Sequence, residues 1–344
     1  MGRDDTSLGS RKLAKRPRDP DAKGKRAGKT LEALLEEATM HLLDRRFLFV
    51  VGKGGVGKSA VATAIALAAA KDGKRTLLAI VESKERVSSF LDIPPIGTEI
   101  SRQVRPNLDT VLLTPKAALE EYGMMVLKVR TLYKLIFENR LVRSFIDGVP
   151  GLAAWSMLGK AFFHSSPPSG EPEYDVVVVD AQATGHALEM LRVPLVIQKL
   201  APPGLLRREA DRAIALFKDP TESAIVLVAL PEDMPANETL ELHAALRDEL
   251  QFPVGRLVVN RVLPELFPAE ERPIFEALPG KLGEDSPAIH LARAGRARAL
   301  REEVQRSSIR ILDAIPAAKI FLKDFISPEL GPAELDELSL AFAR

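Results

Sequence analysis

At residues 51–59 the chain reads Val51-Gly52-Lys53-Gly54-Gly55-Val56-Gly57-Lys58-Ser59. The apolar run Phe47–Val51 leads into this segment and predicts a buried strand, and the alanine-rich segment Ala60–Lys71 after it predicts a helix. A glycine loop between a strand and a helix, with the spacing G-x-x-x-x-G-K-[ST], is the pattern of a phosphate-binding loop. Its four required positions are occupied by Gly52, Gly57, Lys58 and Ser59.

The residue types of this loop suit a polyphosphate ligand. Several backbone N–H groups must point at the phosphates, and residues without a Cβ let the chain wrap closely enough. The helix that follows adds the partial positive charge of its amino end. We expect Lys58 to reach the β- and γ-phosphates and the Ser59 hydroxyl to bind Mg²⁺. A plain glycine turn, the alternative, requires neither side chain. The predicted nucleotide contacts are Gly52, Gly54, Gly55, Val56, Gly57, Lys58, Ser59 and Ala60.

Length and composition narrow the protein class. The 344 residues are enough for one large α/β domain or two small ones, and the 46% of hydrophobic residues is ample for a core. The net charge of +1 indicates no overall attraction to nucleic acid, and the absence of cysteine excludes disulfides, thiolate metal sites and iron–sulfur clusters. Nothing resembles a signal peptide, and no apolar run approaches the roughly 18 residues that span a bilayer. We therefore expect a soluble, cytoplasmic protein.

Residues 1–30 differ in composition from the rest of the chain. They contain ten Lys/Arg and four Asp/Glu, with few large apolar residues, which predicts a disordered basic tail. This tail has three interpretations: a basic arm for nucleic acid or acidic lipid, a solvating segment, or an overextended start site. The remaining residues, 31–344, are predicted to form the phosphate-loop domain.

The rest of the chain alternates strand and helix patterns. Four consecutive valines, Val176–Val179, indicate a strand covered on both faces, as in a parallel sheet. The predicted fold class is α/β of the P-loop NTPase type, with a mostly parallel, doubly covered sheet. The other predicted strands are Thr76–Val81, Asp109–Leu113, Ser223–Leu230, Arg256–Asn260 and Ile309–Ile315. The other predicted helices are Thr30–Leu43, Gly204–Lys218, Met234–Leu250 and residues 333–343.

Residues 115–163 form a long, mostly helical block. Apolar stripes at helical spacing run through it, and aromatic residues such as Trp155 and Phe162 follow Pro150-Gly151. The block is predicted to be a helical subdomain inserted in the α/β domain. Ordinary core packing against the main sheet is the alternative.

Asp180 follows the four valines directly, at the carboxyl end of the predicted strand. A carboxylate at this position fits a Walker B residue that holds Mg²⁺ through water beside Ser59. An aspartate that caps the next turn is the alternative. The sequence therefore predicts a metal site formed by Ser59 and Asp180.

Two motifs narrow the family. The form K-G-G-x-G-K-[ST], in which Lys53 is the early lysine, resembles the deviant Walker A motif of dimerising ATPases that include MinD, ParA and nitrogenase iron protein. The segment Asp180–Leu188 resembles the Asp-Thr-Ala-Pro-Thr-Gly-His-Thr signature of the arsenite-pump-like, anion-transporting ATPase family, which includes the tail-anchored-protein targeting ATPase. Asp180, Thr184, Gly185 and His186 match this signature, whereas Ala181, Gln182 and Ala183 depart from it.

The resemblance implies a Mg²⁺-dependent ATPase that binds ATP in a nucleotide-sandwich dimer. Lys53 would cross the dimer interface to the partner's phosphates, and Thr184 and Gly185 would belong to switch II. Asn260 would grip the adenine edge, and Pro316 would pack a loop against the base. A solvated loop lysine is the alternative for Lys53, and a turn-forming asparagine is the alternative for Asn260.

The end of the second predicted strand departs from the family. Glu82-Ser83-Lys84-Glu85-Arg86 replaces the usual Asp-Pro-Ala-His of switch I. Glu82 lies at or near the aspartate position, so it is expected to orient the attacking water with a longer arm. A solvated glutamate at a strand end is the alternative. This departure leaves a second hypothesis open, an ATP-binding regulatory subunit paired with a paralogue, and a MinD/ParA-like spatial regulator is a third.

The expected partners are ATP and a second ATPase chain, in a homodimer or a heterodimer with a paralogue. The tail-anchor branch implies a hydrophobic client or a membrane partner protein, and nucleic acid is not expected. Because the chain has no cysteine, it cannot bind arsenite through thiolates or form the zinc clamp of the tail-anchor targeting dimers.

Overall fold

Eight strands of the described residues form one sheet, in the order β3-β4-β2-β5-β1-β6-β7-β8. The structure is a computed structural model that describes residues 40–81, 85–127, 152–181, 184–268, 270–283, 285–325 and 329–344. The strands are β1 Phe47–Gly52, β2 Thr76–Val81, β3 Ser101–Arg105, β4 Leu108–Leu113, β5 Val176–Asp180, β6 Ser223–Ala229, β7 Val254–Val262 and β8 Lys319–Lys323. Neighbouring strands are parallel except β3 and β4, which are antiparallel. The predicted α/β class and mostly parallel sheet are confirmed.

Helices cover both faces of this sheet. Their bounds are α1 Lys58–Lys71, α2 Val87–Leu91, α3 Pro115–Leu127, α4 Leu152–Ser165, α5 Thr184–Leu200, α6 Leu205–Lys218, α7 Asp233–Ala245, α8 Arg272–Lys281, α9 Ile289–Leu312 and α10 Pro332–Leu340. One face packs against α4, α5, α6, α7 and the end of α9, and the other against α1, α2 and α10. A π-helical turn, Leu246–Leu250, continues α7, so the predicted helix Met234–Leu250 is confirmed.

The sequence of β1 shows how one strand serves both cores. Phe47 and Phe49 lie in the core beneath α4 and α6, and Leu48 and Val50 lie in the core beneath α1. Because successive side chains point to opposite faces, a strand with apolar residues at every position requires cover on both sides. Every residue of β1 is buried, and so is every residue of β5.

Helix α1 is buried all round because its side chains are small. All eleven residues from Ala60 to Ala70 are buried, and seven of them are alanine. A helix that is apolar on every side lies inside a protein, and alanine lets it approach the sheet closely. The phosphate-loop helix is therefore held firmly behind its loop.

The predicted strand Ile309–Ile315 is wrong. Ile309, Ile311 and Leu312 belong to the last turn of α9, and the final strand is β8, Lys319–Lys323. A short apolar run before a proline fits either element, and here it continues the buried helical stripe of Gln305, Ser308 and Leu312.

Because the final strand is β8, Pro316 lies before this strand and not after it. The residue precedes β8, which runs parallel to β7, so it lies at the amino edge of the sheet and is exposed. The phosphate loop follows the carboxyl end of β1. Pro316 therefore does not lie at the edge where a nucleotide base would bind, and its expected contact with the base has no basis in the structure.

Two other predictions fall partly outside the described residues. The predicted helix Thr30–Leu43 is described only at its end, where Leu42–Asp44 form a 3₁₀ turn. The helical block at 115–163 is described at its two ends, α3 and α4. Trp155 and Phe162 of α4 lie in the main core, so the core-packing interpretation holds for them. Residues 128–151, like the tail at 1–30, lie outside the described residues.

Candidate nucleotide-binding site

The phosphate loop is closed by two tight approaches of its glycines. A Cβ added at Gly52 would lie 2.4 Å from the Val228 carbonyl oxygen of the neighbouring strand β6. A Cβ added at Gly57 would lie 2.3 Å from Asn260 Nδ2, and the φ of Gly57 is +88°. Any larger residue at these two positions would collide with its neighbours, so the loop geometry requires glycine.

The loop ends at the amino terminus of α1. Gly57 caps this helix without a side-chain hydrogen bond, and the first bond into the helix runs from Val61 N to the Gly57 carbonyl, at 3.1 Å. The N–H groups of Lys58, Ser59 and Ala60 therefore have no partner within the helix. N–H groups left free in this way, together with the helix dipole, favour an anion such as phosphate.

Lys58 lies inside the loop. Its Nζ donates to the Lys53 carbonyl oxygen at 2.9 Å. Burial lowers the pKa of Lys58, and the Asp180 carboxylate acts in the opposite direction. The ammonium therefore stands between the loop and Asp180, where it can neutralise a phosphate oxygen.

Asp180 ends β5 next to the phosphate loop. Its register partners are Val50 of β1 and Ile80 of β2. Only 2% of Asp180 is exposed, and its Oδ2 has no hydrogen-bond partner among the described residues. Burial raises the pKa of Asp180 to about 6, and Ser59 and Lys58 counteract that rise.

A buried carboxylate oxygen without a partner is costly unless something binds it. The Asp180 carboxylate and the Ser59 hydroxyl are oxygen donors of the type that Mg²⁺ prefers. The two residues therefore fit a metal site that is completed by phosphate and water. The described residues contain no group of three or more His, Asp or Glu that could hold a metal without a bound ligand.

Asn260 braces the loop from β7. Its Nδ2 donates to the Val56 carbonyl oxygen at 2.9 Å, and the residue is 6% exposed. The bond engages the Val56 carbonyl oxygen, a negative dipole end that would repel phosphate. A bulge between Val259 and Val262, with Arg261 at φ +58°, sets the local direction of the strand. One N–H of the Asn260 amide expected to grip adenine is thus engaged with the loop, which leaves its second N–H and its Oδ1 as the candidate groups for the base.

Lys53 forms an ion pair within its own chain. Its Nζ lies 2.9 Å from Glu238 Oε1 on α7. Glu238 belongs to no sequence motif and is far from Lys53 along the chain, so no local pattern predicts this ion pair.

The structure describes the predicted switch residues only in part. Glu82 lies outside the described residues, although β2 ends at Val81, immediately before it. Thr184 begins α5, and Gly185 is exposed, with no atom of the described residues within 4 Å of an added Cβ. The structure therefore brings together the loop, Asp180 and Asn260.

Similarity to known proteins identifies the family of the chain. Residues 45–202 and 206–277 match the family model described as anion-transporting ATPase. The chain belongs to the anion-transporting ATPase family. The matched residues include the phosphate loop, Asp180 and Asn260, and they exclude Pro316.

Several individual relatives of the chain carry names that describe them as ATPases. The chain is 29% identical to ATPase BagA of Mycobacterium tuberculosis over 73% of its own length and 74% of the relative's. It is 25% identical to the arsenical pump-driving ATPase of Escherichia coli over 65% of its length, which covers 41% of that protein. It is 29% identical to ATPase ASNA1 homolog 1 of Paramecium tetraurelia over 49% of its length and 48% of that protein. The relatives support ATPase activity in general.

No helix in the described part of the chain combines the length and the apolar character that crossing a bilayer requires.

Proposed function

We propose that the chain is a Mg²⁺-dependent ATPase that works as a nucleotide-sandwich dimer and couples ATP hydrolysis to a switch of a cargo or partner. The observation that carries this proposal is the buried Asp180 carboxylate, which lies beside Lys58 and Ser59 and has one oxygen without a partner in the part of the chain that the structure describes. A phosphate loop whose cation and carboxylate converge in this way suits a metal–triphosphate complex.

Each residue of the site has a part in this proposal. The N–H groups of the loop and of the first turn of α1 bind the phosphates, and Lys58 neutralises the β- and γ-phosphate oxygens. Ser59 and, through water, Asp180 hold Mg²⁺, which supplies charge neutralisation when bound. Asn260 keeps the loop in its binding shape and offers its Oδ1 to the base.

The hydrolytic step depends on residues that follow the strand ends. Glu82 orients the attacking water, Thr184 and Gly185 respond to the γ-phosphate as switch II, and Lys53 reaches the phosphates of the second chain. These roles follow the family resemblance. They are supported by the positions of the elements, because β2 ends at the carboxyl edge of the sheet and α5 begins shortly after β5 ends there.

The partner is proposed from the family resemblance and from composition. A homodimer or a heterodimer with a paralogous ATPase is the expected assembly, and the resemblance to the tail-anchored-protein targeting ATPase favours a hydrophobic client or a membrane partner protein as cargo. Arsenite held by thiolates is excluded as cargo because the chain has no cysteine.

A second candidate function rests on Glu82-Ser83-Lys84, which replaces the usual switch I residues. A misplacement of the water-orienting group on the order of 1 Å costs about a hundredfold in rate. The chain would then bind Mg·ATP, hydrolyse it slowly and act as the regulatory subunit of a pair.

Calorimetry and turnover together test these two functions. Wild-type chain is expected to bind Mg·ATP, and Lys58→Ala is expected to lose most of that affinity. Phosphate release above the Lys58→Ala background supports the ATPase, whereas tight binding without release, alone and with a paralogue, supports the regulatory subunit. If folded wild-type chain takes up no Mg·ATP, both functions are wrong.

A further inference from the structure

The ion pair between Lys53 and Glu238 bridges two elements of the nucleotide site. Lys53 lies in the loop after β1, and Glu238 lies in α7, which follows the adjacent strand β6. Their Nζ and Oε1 atoms are 2.9 Å apart, and the two side chains are 37% and 25% exposed. The pair therefore closes the gap between two neighbouring strand ends at the carboxyl edge of the sheet.

The two partners differ in their freedom to move. Lys53 is followed by Gly54 and Gly55, which are exposed, and no atom of the described residues lies within 4 Å of a Cβ added to either. Glycine lets the backbone around Lys53 reach conformations that other residues resist.

Glu238 lies on a firmly packed helix. Ala236, Thr239 and Leu242 of α7 are buried, and Asp233 at its amino end accepts a hydrogen bond from Ser308 of α9 at 3.0 Å. The carboxylate is thus the fixed partner of the pair, and the lysine is the movable one.

We propose that Glu238 is a positioning residue for Lys53: it holds the Lys53 ammonium against its own chain, and Lys53 must leave it before a nucleotide-sandwich dimer can form. This inference rests on the proposed function, because it requires that Lys53 act on the nucleotide of a second chain. One ammonium cannot keep a 2.9 Å contact with Glu238 and also reach across an interface. The pair therefore opposes assembly until the phosphates of ATP outcompete Glu238 for the lysine.

The first test uses the nucleotide-free full chain and does not depend on a dimer. A brief treatment with an amine-acylating reagent, followed by peptide mass spectrometry, measures how reactive each lysine is. Glu238→Gln is expected to raise the reactivity of Lys53 roughly two- to fivefold, the range for losing a partly exposed ion pair. Lys71, which pairs with Asp336 on α10, serves as the internal reference because a general loss of stability would break its ion pair too.

The matched control is Glu241→Gln. Glu241 lies one turn further along α7 and is exposed, so this variant removes the same charge from the same helix. We expect it to leave the reactivity of Lys53 unchanged. Equal reactivity of Lys53 in wild type and Glu238→Gln, or an equal rise in both variants, would overturn the assignment of Glu238 as the holder of Lys53.

The second test measures assembly by sedimentation over a range of Mg·ATP concentrations. Glu238→Gln is expected to lower the ATP concentration of half-maximal dimer by roughly two- to fivefold, and Glu241→Gln is expected to match wild type. If wild type forms a dimer and Glu238→Gln does not shift the midpoint, this inference is wrong and the proposed function stands. If wild type forms no ATP-dependent dimer, the dimeric part of the proposed function is wrong, and the inference, which rests on it, is wrong as well.

Discussion

At the scale of single residues, the site combines groups that are unfavourable without a ligand. The Asp180 carboxylate is almost fully buried, and none of the described residues pairs with one of its oxygens, while Lys58 gives up part of its hydration inside the loop. The Asn260 side-chain amide donates a hydrogen bond to the Val56 carbonyl, and this bond holds the loop in a shape that can bind phosphate. Such costs are tolerated at functional sites because a bound ligand offsets them.

Asp180→Asn is expected to stabilise the nucleotide-free chain while abolishing Mg²⁺-dependent ATP binding. The folded-state pKa of about 6 lies above the ordinary aspartate value of 3.8, so the charged form destabilises the fold increasingly as the pH rises from about 4 to about 6. The difference corresponds to up to about 3 kcal/mol above pH 6. Denaturant unfolding of wild type and variant at pH 4 and pH 7.5 checks this, and a stability difference independent of pH would contradict it.

Gly57→Ala is expected to destabilise the nucleotide-free chain by about 1–3 kcal/mol, because φ is +88° and the new Cβ would meet Asn260. Gly54→Ala is the matched control in the same loop, since nothing lies within 4 Å of its added Cβ and its φ is not left-handed. We expect the control to change the free energy of unfolding by less than about 0.5 kcal/mol. Chemical denaturation without nucleotide measures both, and equal losses would contradict the requirement for glycine at position 57.

At the scale of elements, the packing of α4 decides how the helical block joins the sheet. Phe162 is 1% exposed, its ring lies 6.0 Å from that of Phe217, and the Arg212 guanidinium lies over it at 5.3 Å. The helix therefore belongs to the same core as β1 and α6, although the sequence left both a separate helical subdomain and core packing open.

Phe162→Ala is expected to cost about 3–5 kcal/mol of stability, as for other large-to-small changes in a closed core. The adjacent Phe163 is only partly buried at the core's edge, so Phe163→Ala is expected to cost clearly less. Thermal and denaturant unfolding of the two variants compares them directly. A negligible loss for Phe162→Ala would mean that α4 does not support the main core.

At the scale of the whole molecule, the site is assembled from strand ends that are far apart in sequence. β1, β5 and β7 bring the loop, Asp180 and Asn260 to one edge of the sheet. Because the ligand would bind across three strands, its binding energy should stabilise the sheet as a unit.

Mg·ATP at about a hundred times its Kd is expected to raise the free energy of unfolding of the wild-type chain by about 2.7 kcal/mol, by mass action. Removing Mg²⁺ with a chelator is expected to cancel most of this gain, and Lys58→Ala should show little of it. Unfolding curves with and without nucleotide provide the measurement. A gain that survives both the chelator and Lys58→Ala would point to a different binding site.

Local signals in the sequence determined the phosphate loop, the strand that ends at Asp180 and the family, because each depends on residues that are adjacent in the chain. Only the tertiary structure decided three points. These are the hydrogen bond from Asn260 to the Val56 carbonyl, the ion pair of Lys53 with Glu238, and the position of Pro316 at the edge of the sheet away from the phosphate loop. The first two are contacts between residues about two hundred positions apart, which no local pattern encodes. The third was missed because an apolar run before a proline fits a strand or a helix end equally well, and only its packing in the core decides between them.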